Sequence, residues 1–596
     1  MTQQSAKTNM GENGRKKVGA VLVQGGGIAG VQASLDLANS GFKVYLVERE
    51  AAIGGMMSHL DKTFPTGDCA TCIVSPKLVE CARNLNIEIL TMSELMNLKG
   101  EPGHFKATVK RYPRYVDETK CNGCSECTNA CPVQIPDHFD RELGQRKAIA
   151  KHYAQATPNI FGILKNGHSP CKVACPANVN VQGYVQLIKK KEYIKAVNLI
   201  RERNPLAAIC GRICTHPCES KCTRGKADEP LAIRLLKRFA SDKEVQMLEA
   251  GKLTLPPEKT PAAGVKKVAV IGAGPAGLTV ANDLADRSFA VTVYEAQPAA
   301  GGMLRYGIPD FKLGKHIIDR RLAQLRAEGV EFQTGVAVGK DISAHYLRKM
   351  FDCICLTMGA RQRRDLAVPG RERGNILFAL DYLTAQNKLC AAEPLESTPR
   401  ITARDKVVVV LGGGDTGSDC VGTARRQRAK KIYQLEILPK PPEMRPPDTP
   451  WPMWPRMMRT SSSHEEGCER RWSVMTKAFA GDNGDVKELH GCEVEWIDDR
   501  GNWKLKELPG TEFVLRVDLV LLALGFLHVA HDGLVNDLGL QLDAKGNVIA
   551  DNYQTSEPWV FAAGDTVSGA SLVVRAIRSG REAAAVMDRW LRQNPQ

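Results

Sequence analysis

The side chains and spacings that could do chemistry in this chain are of two kinds, cysteines in short repeats and glycines in turns. Nineteen cysteines occur in 596 residues, and thirteen of them lie between Cys69 and Cys222. Cys121, Cys124, Cys127 and Cys131, the last followed by proline, form C-x2-C-x2-C-x3-C-P. That run brings consecutive thiolates onto one 4Fe–4S cube, whereas zinc ribbons use two pairs separated by a longer loop. All four residues serve one cluster, or Cys131 joins a second with Cys69, Cys72 or Cys81. Six further cysteines, Cys171, Cys175, Cys210, Cys214, Cys218 and Cys222, recur mostly at four-residue intervals. A C-x3-C series on helix turns puts thiolates on one face, suited to at least one more 4Fe–4S cluster. Six thiolates cannot supply eight ligands. Cys353, Cys355, Cys390, Cys420, Cys468 and Cys492 are isolated and read as ordinary thiols.

The glycines come in three G-x-G-x-x-G turns: Gly25, Gly27 and Gly30; Gly272, Gly274 and Gly277; Gly412, Gly414 and Gly417. Each follows an apolar β-branched run and opens a helical pattern. Each is followed by a second strand ending in an acid: Glu48, Glu295 and Glu436. The first glycine permits the tight turn, the second lets backbone approach a pyrophosphate, and the third lets helix pack on strand. The acid accepts hydrogen bonds from a ribose. The pattern predicts dinucleotide binding, with the phosphates on the helix N-terminus.

The elements that must position these groups follow from the text between them. The predicted fold class is α/β: nested Rossmann-like FAD and NAD(P)-binding domains, an α-helical iron–sulfur domain, and an extra amino-terminal partial Rossmann unit carrying a ferredoxin-like insert. The expected boundaries are a disordered leader at 1–17, the partial Rossmann unit at 18–114, and the ferredoxin-like segment at 115–160. The helical iron–sulfur domain spans 168–250. The FAD domain takes 265–400 and 515–596, interrupted by an NAD(P) domain at 401–514. Around the second turn, Gly302 and Met303 belong to the FAD site, and the returning Gly564-Asp565 segment supplies a carboxylate to the ribityl or pyrophosphate region. In the third turn Asp415 and Thr416 lie within the glycine spacing. Glu436 favours NAD, because a 2′-phosphate against that carboxylate is costly; Arg425 and Arg426 are the residues that could reach such a phosphate.

Bulk properties set limits. Hydrophobic residues make up 43% of the chain, so globular cores are expected. No apolar run reaches the roughly 18 residues of a membrane span. The polar start lacks the apolar core of a signal peptide, so a cytoplasmic location is expected. The net charge of +15 is scattered, with short runs at 189–191 and 425–428, and reads as a solvated surface that could steer an acidic redox partner, not as a nucleic-acid site.

Residues of about 18–160, with GGGIAGVQASLDLA, LDKTFPTGDCATCI and the ferredoxin run, resemble the amino-terminal flavin portion of the A-type flavoprotein chain of heterodisulfide reductase. The sequence leaves that family's pattern from about residue 168, so the flavin site carries over only as Gly25, Gly27, Gly30 and Glu48. A flavin there and a retained scaffold for the ferredoxin module are both open. Residues of about 168–596, with CGRICTHPCESKC, GAGPAGL, GGMLRYGIP, GGGDTGSDCVGTA, LEILPKPP and FAAGD, resemble the small (beta) subunit of glutamate synthase. That resemblance implies an FAD- and NAD(P)H-binding oxidoreductase passing electrons into iron–sulfur clusters, with NAD(P)H and other subunits of a redox complex, or ferredoxin, as partners. A tungsten- or molybdenum-dependent aldehyde or formate enzyme, or heterodisulfide reductase-like subunits, would fit as that complex. The chain has no glutaminase or FMN-barrel domain, so it cannot make glutamate alone. Electron bifurcation with two flavins, an electron relay without nucleotide turnover, and a glutamate synthase small subunit serving a large partner subunit are the competing expectations.

Overall fold

The computed structural model describes residues 19–163, 168–254, 258–394, 401–444, 446–449, 457–499 and 502–594; the expected leader lies outside them. The chain divides into two compact units, Met1–His168 and Ser169–Gln596.

The first unit contains one three-stranded parallel sheet, in which Ala20–Gln24 pairs with Lys43–Val47 and that strand with Ile87–Leu90. The helix Ile28–Asn39 buries Val31, Leu35 and Ala38 at helical spacing, and Ala70–Arg83 buries Val74, Leu78 and Cys81 against them. The strand Ala20–Gln24 stands at the sheet edge, and none of its residues is fully buried. After a hairpin of Ser93–Lys99 with Lys106–Arg111, the ferredoxin-like segment has a short helix, Glu126–Ala130, and two small antiparallel pairs.

The second unit opens with helices. Val181–Lys189 and Tyr193–Arg201 form a hairpin against Ala207–Ile213 and Ile233–Glu249, burying Tyr184, Val197 and Ile200. The FAD-type sheet follows. Its five parallel strands run in the order Val330–Thr334, Ala290–Glu295, Lys267–Ile271, Cys353–Leu356, Val560–Ala562. Val268, Ala269 and Val270 are wholly buried because helices cover both faces of the sheet. At about 1.5–3 kcal/mol for each buried valine, the central strand anchors the layer.

The inserted sheet also has five parallel strands, in the order Ile376–Phe378, Leu519–Leu522, Val407–Leu411, Lys431–Glu436, Glu469–Trp472. Two of them fall outside the span 401–514 expected for this domain. Ile376–Phe378 and Leu519–Leu522 were assigned by sequence to the flanking FAD segments, but Leu519–Leu522 covers the second edge of Val407–Leu411 and Ile376–Phe378 pairs with Leu519–Leu522 in turn. An apolar VVVVL run with a strand on one side only would leave its other row of backbone groups unpaired. A four-stranded antiparallel sheet, Val474–Ala480 with Glu488–Asp499, Asn502–Glu507 and Phe513–Arg516, completes the insertion.

Candidate functional site

The three glycine turns adopt one geometry. The first glycine has positive φ in each: +99° at Gly25, +104° at Gly272 and +118° at Gly412. A Cβ on the third glycine would lie 1.9, 2.0 or 2.3 Å from the first glycine's carbonyl oxygen at Gly30, Gly277 and Gly417. The second glycines, Gly27, Gly274 and Gly414, are helix N-caps with open space where a side chain would project. Among the described residues no side chain fills these caps, which leaves room for a phosphate at the N–H groups of each helix.

The three acids also behave alike. Glu295 accepts from Ala273 N–H and Gln297 N–H, both at 3.0 Å. Glu48 accepts from Gly26 N–H at 2.6 Å and Glu50 N–H at 2.7 Å. Glu436 accepts from Gly413 N–H at 2.5 Å and Leu438 N–H at 3.2 Å. Each carboxylate clamps its turn to its strand end, and lone pairs remain on both oxygens for ribose hydroxyls.

What differs is the wall beside the first glycine. A Cβ at Gly272 would lie 2.5 Å from Thr357 O, and one at Gly412 would lie 2.3 Å from Ala523 O, because each turn faces the end of the next parallel strand. At Gly25 nothing among the described residues stands within 4 Å of such a Cβ. The first turn sits at a sheet edge, with no strand beyond Ala20–Gln24 among the described residues. The carbonyl at the first glycine is held differently too. Thr357 Oγ1 donates to Gly272 O at 2.9 Å, whereas Gln434 Nε2 donates to Gly412 O at 2.9 Å.

The second turn is closed from above. A Cβ at Gly564 would lie 2.7 Å from Ala276 Cβ, so the returning segment lies directly on the first turn of the helix Pro275–Ala285. Burial raises the Asp565 carboxyl, and its Oδ1 accepts from Ser571 Oγ at 2.7 Å. Gly302 has φ +51°, and a Cβ there would lie 3.0 Å from Gly274 Cα, which brings Met303 over the same turn; Met303 is 42% exposed. Gly55 approaches Gly27 in the same way in the first unit, at 2.8 Å. The cradle at the second turn fits an FAD: open glycine cap, ribose acid and a covering segment.

The segment after Met303 also joins the two nucleotide domains of this unit. Lys312 pairs with Asp419, and the Arg426 guanidinium lies 3.6 Å from the Phe311 ring centroid. Burial pushes Asp419 up to about 6. Arg426 is also bidentate to Glu466 at 2.6 and 2.7 Å, so it is engaged away from the Glu436 ribose position. Asp415 is exposed at the first position of the helix Asp415–Arg426, with Thr416 next and half-buried.

Sequence reasoning missed a relay behind the third turn. Ser461 N–H donates to His464 Nδ1 at 3.1 Å, which leaves Nε2 to donate to Gln434 Oε1 at 2.9 Å; Gln434 then reaches Gly412. Burial holds His464 neutral, lowered to about 4. The available signal was a glutamine among apolar residues ahead of the terminal acid, in IYQLEIL.

The cysteines divide by unit. Cys127 feels the charges of Cys124 and Cys121, and burial holds its thiol above the usual range. Phe161 N–H donates to Cys121 Sγ at 3.4 Å. Burial opposes ionisation of Cys131, but the backbone N–H groups of Ile149, Val133 and Ala148 outweigh it and hold the thiol low. Hydrogen bonds onto sulfur of this kind tune iron–sulfur potentials. Cys69 and Cys72, offered by the sequence as cluster ligands, are joined in a disulfide at the start of the helix Ala70–Arg83. Sulfur bonded to sulfur has no thiolate for iron, so the pair is withdrawn from ligation in this state. Cys81 is buried and pushed up to about 11.

In the second unit Cys171 lies in the helix Pro170–Ala174 and Cys175 caps it; Cys210 lies in Ala207–Ile213 and Cys214 caps that. Burial pushes Cys210 and Cys218 up, and the charges of Cys175 and Cys214 act on both. Tyr184, whose hydroxyl donates to Ile233 O at 2.9 Å, faces Cys218, Cys175 and Cys171. Cys222 caps the short turn Thr223–Lys226. Among the described residues no three His, Cys, Asp or Glu side chains could hold a single metal ion. The thiols of the second unit fit a group that takes one thiolate at each of several irons.

Comparison with known proteins bears on the same regions. Residues 266–580 match the pyridine nucleotide-disulphide oxidoreductase family, and residues 162–249 match the 4Fe-4S cluster domain II of dihydropyrimidine dehydrogenase. Residues 20–67 match FAD dependent oxidoreductases, and residues 114–137 match the 4Fe-4S binding domain. The chain is 42% identical to the glutamate synthase [NADPH] small chain of Mycobacterium tuberculosis, over 71% of this chain and 85% of that one. It is 34% identical to the NADP(+)-dependent formate dehydrogenase subunit beta of Moorella thermoacetica, over 71% of this chain and 60% of that one. It is 31% identical to the NADPH-Fe(3+) oxidoreductase subunit beta of Geobacter sulfurreducens, over 73% and 65%. No helix among the described residues is long and apolar enough to cross a membrane.

Proposed function

The chain belongs to the glutamate synthase small-chain family of iron–sulfur flavoprotein oxidoreductases, and on that premise we propose that it is the nicotinamide-reactive subunit of a larger cytoplasmic redox complex. It exchanges electrons between NADH and a partner oxidoreductase or ferredoxin through one FAD and its iron–sulfur clusters. The observation that carries this reading is the closure of Gly564-Asp565 onto Ala276 beside an inserted domain with its own open glycine cap.

Bound FAD supplies the exchange between two-electron nicotinamide chemistry and one-electron iron–sulfur chemistry. The chain positions and tunes. Gly272, Gly274 and Gly277 leave room for the flavin pyrophosphate, Glu295 takes the adenosine ribose, and Asp565 faces the ribityl side. Gly412, Gly414 and Gly417 do the same for the nicotinamide nucleotide, with Glu436 at its ribose. Of the two arginines that could reach a 2′-phosphate, Arg426 is taken by Glu466, which supports NADH over NADPH. The paired segment Phe311-Lys312 aligns the two nucleotide domains. Cys175, Cys210, Cys214 and Cys218 are the ligand group nearest in sequence to the FAD domain, and Cys121, Cys124, Cys127 and Cys131 hold the ferredoxin-like cluster from which electrons leave or enter. A formate- or aldehyde-oxidising partner fits, since the formate dehydrogenase beta subunit of Moorella is among the relatives.

Anaerobic assay with NADH, NADPH and a viologen dye, with flavin and iron counted per chain, tests the reading. One FAD per chain and dye reduction by NADH are expected. No turnover with either nucleotide would make the chain a relay. Two flavins per chain would favour bifurcation, for which the FAD dependent oxidoreductase match at 20–67 is the support.

A further inference from the structure

The helix Ile233–Glu249 carries two buried charges, and only one has an ordinary partner. Glu244, 3% exposed, accepts from both guanidinium nitrogens of Arg201 at 2.6 and 2.7 Å. Lys237, 6% exposed, pairs with no carboxylate among the described residues. A buried ammonium without an anion is costly, so a native fold places one nearby.

The groups around Lys237 are sulfur. The charges of Cys210, Cys214, Cys175 and Cys218 act on it, and Lys237 acts back on Cys210 and Cys218. The approach is built into the backbone. A Cβ at Gly211 would lie 2.8 Å from Arg238 Cα, so the helix Ala207–Ile213, which carries Cys210 and is capped by Cys214, rests on the turn that carries Lys237.

We propose that Lys237 is the buried counter-ion of the cluster held by the Cys175, Cys210, Cys214 and Cys218 group, and that it raises that cluster's reduction potential. This rests on the reading of those cysteines as cluster thiolates. A protonated ammonium has three donors and no lone pair, so it acts through its charge, not as a ligand. Reduction adds one electron to an already anionic cluster with no bond made or broken. A fixed positive charge in a low-dielectric surrounding stabilises the reduced form more than the oxidised one. Lys237 thereby lets the cluster take electrons from a flavin reduced by nicotinamide, without a stronger donor.

Redox titration of the full-length protein, followed by electron paramagnetic resonance, tests this with K237M, K237Q and K237R. The reductive step that disappears in C214S identifies the cluster. In K237M and K237Q that step is expected to move to lower potential, with the equilibrium constant for reduction down about tenfold, a 59 mV shift for one electron. Iron content and the ferredoxin-like step stay in place, and K237R keeps the wild-type value. An unmoved step in either neutral variant, an equal drop in K237R, or loss of iron from both neutral variants overturns the proposal. A wild-type protein in which C214S removes no reductive step instead sinks the cluster reading beneath it.

Discussion

Glu436 and His464 show how single side chains serve the third turn. Glu436 clamps Gly413 and Leu438 while keeping lone pairs for a ribose. Charge-assisted hydrogen bonds contribute about 1.5–3 kcal/mol each. E436Q keeps the shape and loses the charge, so KM for NADH is expected to rise about tenfold, near 1.4 kcal/mol, with FAD content unchanged. His464 is a pH-dependent support. Burial lowers it from 6.5 to about 4, so between these values the unfolded chain takes up a proton that the folded chain resists. Its contribution is in place above pH 6.5 and is lost as pH falls toward 4. Thermal melts across this range should show a steeper acid loss for wild type than for H464Q. At this scale the glycines, ribose acids and cysteine repeats were legible, because each is a local spacing. Gln434, His464 and Lys237 were not, since each matters through a partner far away in sequence. The disulfide between Cys69 and Cys72 departs from the expectation of free cluster thiolates, because C-x2-C spacing suits both.

Elements decide which glycine turn becomes a complete site. The helix Val573–Gln593 reaches the helix Pro275–Ala285 because Gly580 has no side chain; a Cβ there would lie 2.6 Å from Ala276 O. G580A forces these helices apart, and overpacking of this kind costs about 1–3 kcal/mol. A lower melting temperature and weaker FAD retention are expected, measured by flavin release on heating. Gly25 and Gly272 offer a sharper comparison. Both have positive φ, so alanine strains both by about 1–2 kcal/mol. Only at Gly272 does the new Cβ also meet a carbonyl, 2.5 Å away. Purified G272A should lose its flavin absorbance, while G25A should retain that of wild type.

In the whole molecule, the same βαβ text is used in three settings. Two copies stand in five-stranded parallel sheets, and one stands at the edge of a three-stranded sheet. The inserted sheet recruits Ile376–Phe378 and Leu519–Leu522 from both sides of the boundary expected at 401–514. A pattern reader places those strands with their sequence neighbours; parallel pairing sets Leu519–Leu522 beside Val407–Leu411 and Ile376–Phe378 beyond it. The family relatives span about seven-tenths of the chain, and the ferredoxin-like run adds a redox centre that matches the 4Fe-4S binding domain separately.

The sequence alone determined the class of chemistry: local spacing of glycines and cysteines specifies nucleotide turns and iron–sulfur runs whatever lies around them. Tertiary structure decided completeness. A strand beside Gly272, a segment over Ala276, a glutamine under Gly412 and a lysine among cysteines are all contacts between residues far apart in the chain. They depend on which strands pair and which helices cross, and packing, not spacing, sets that.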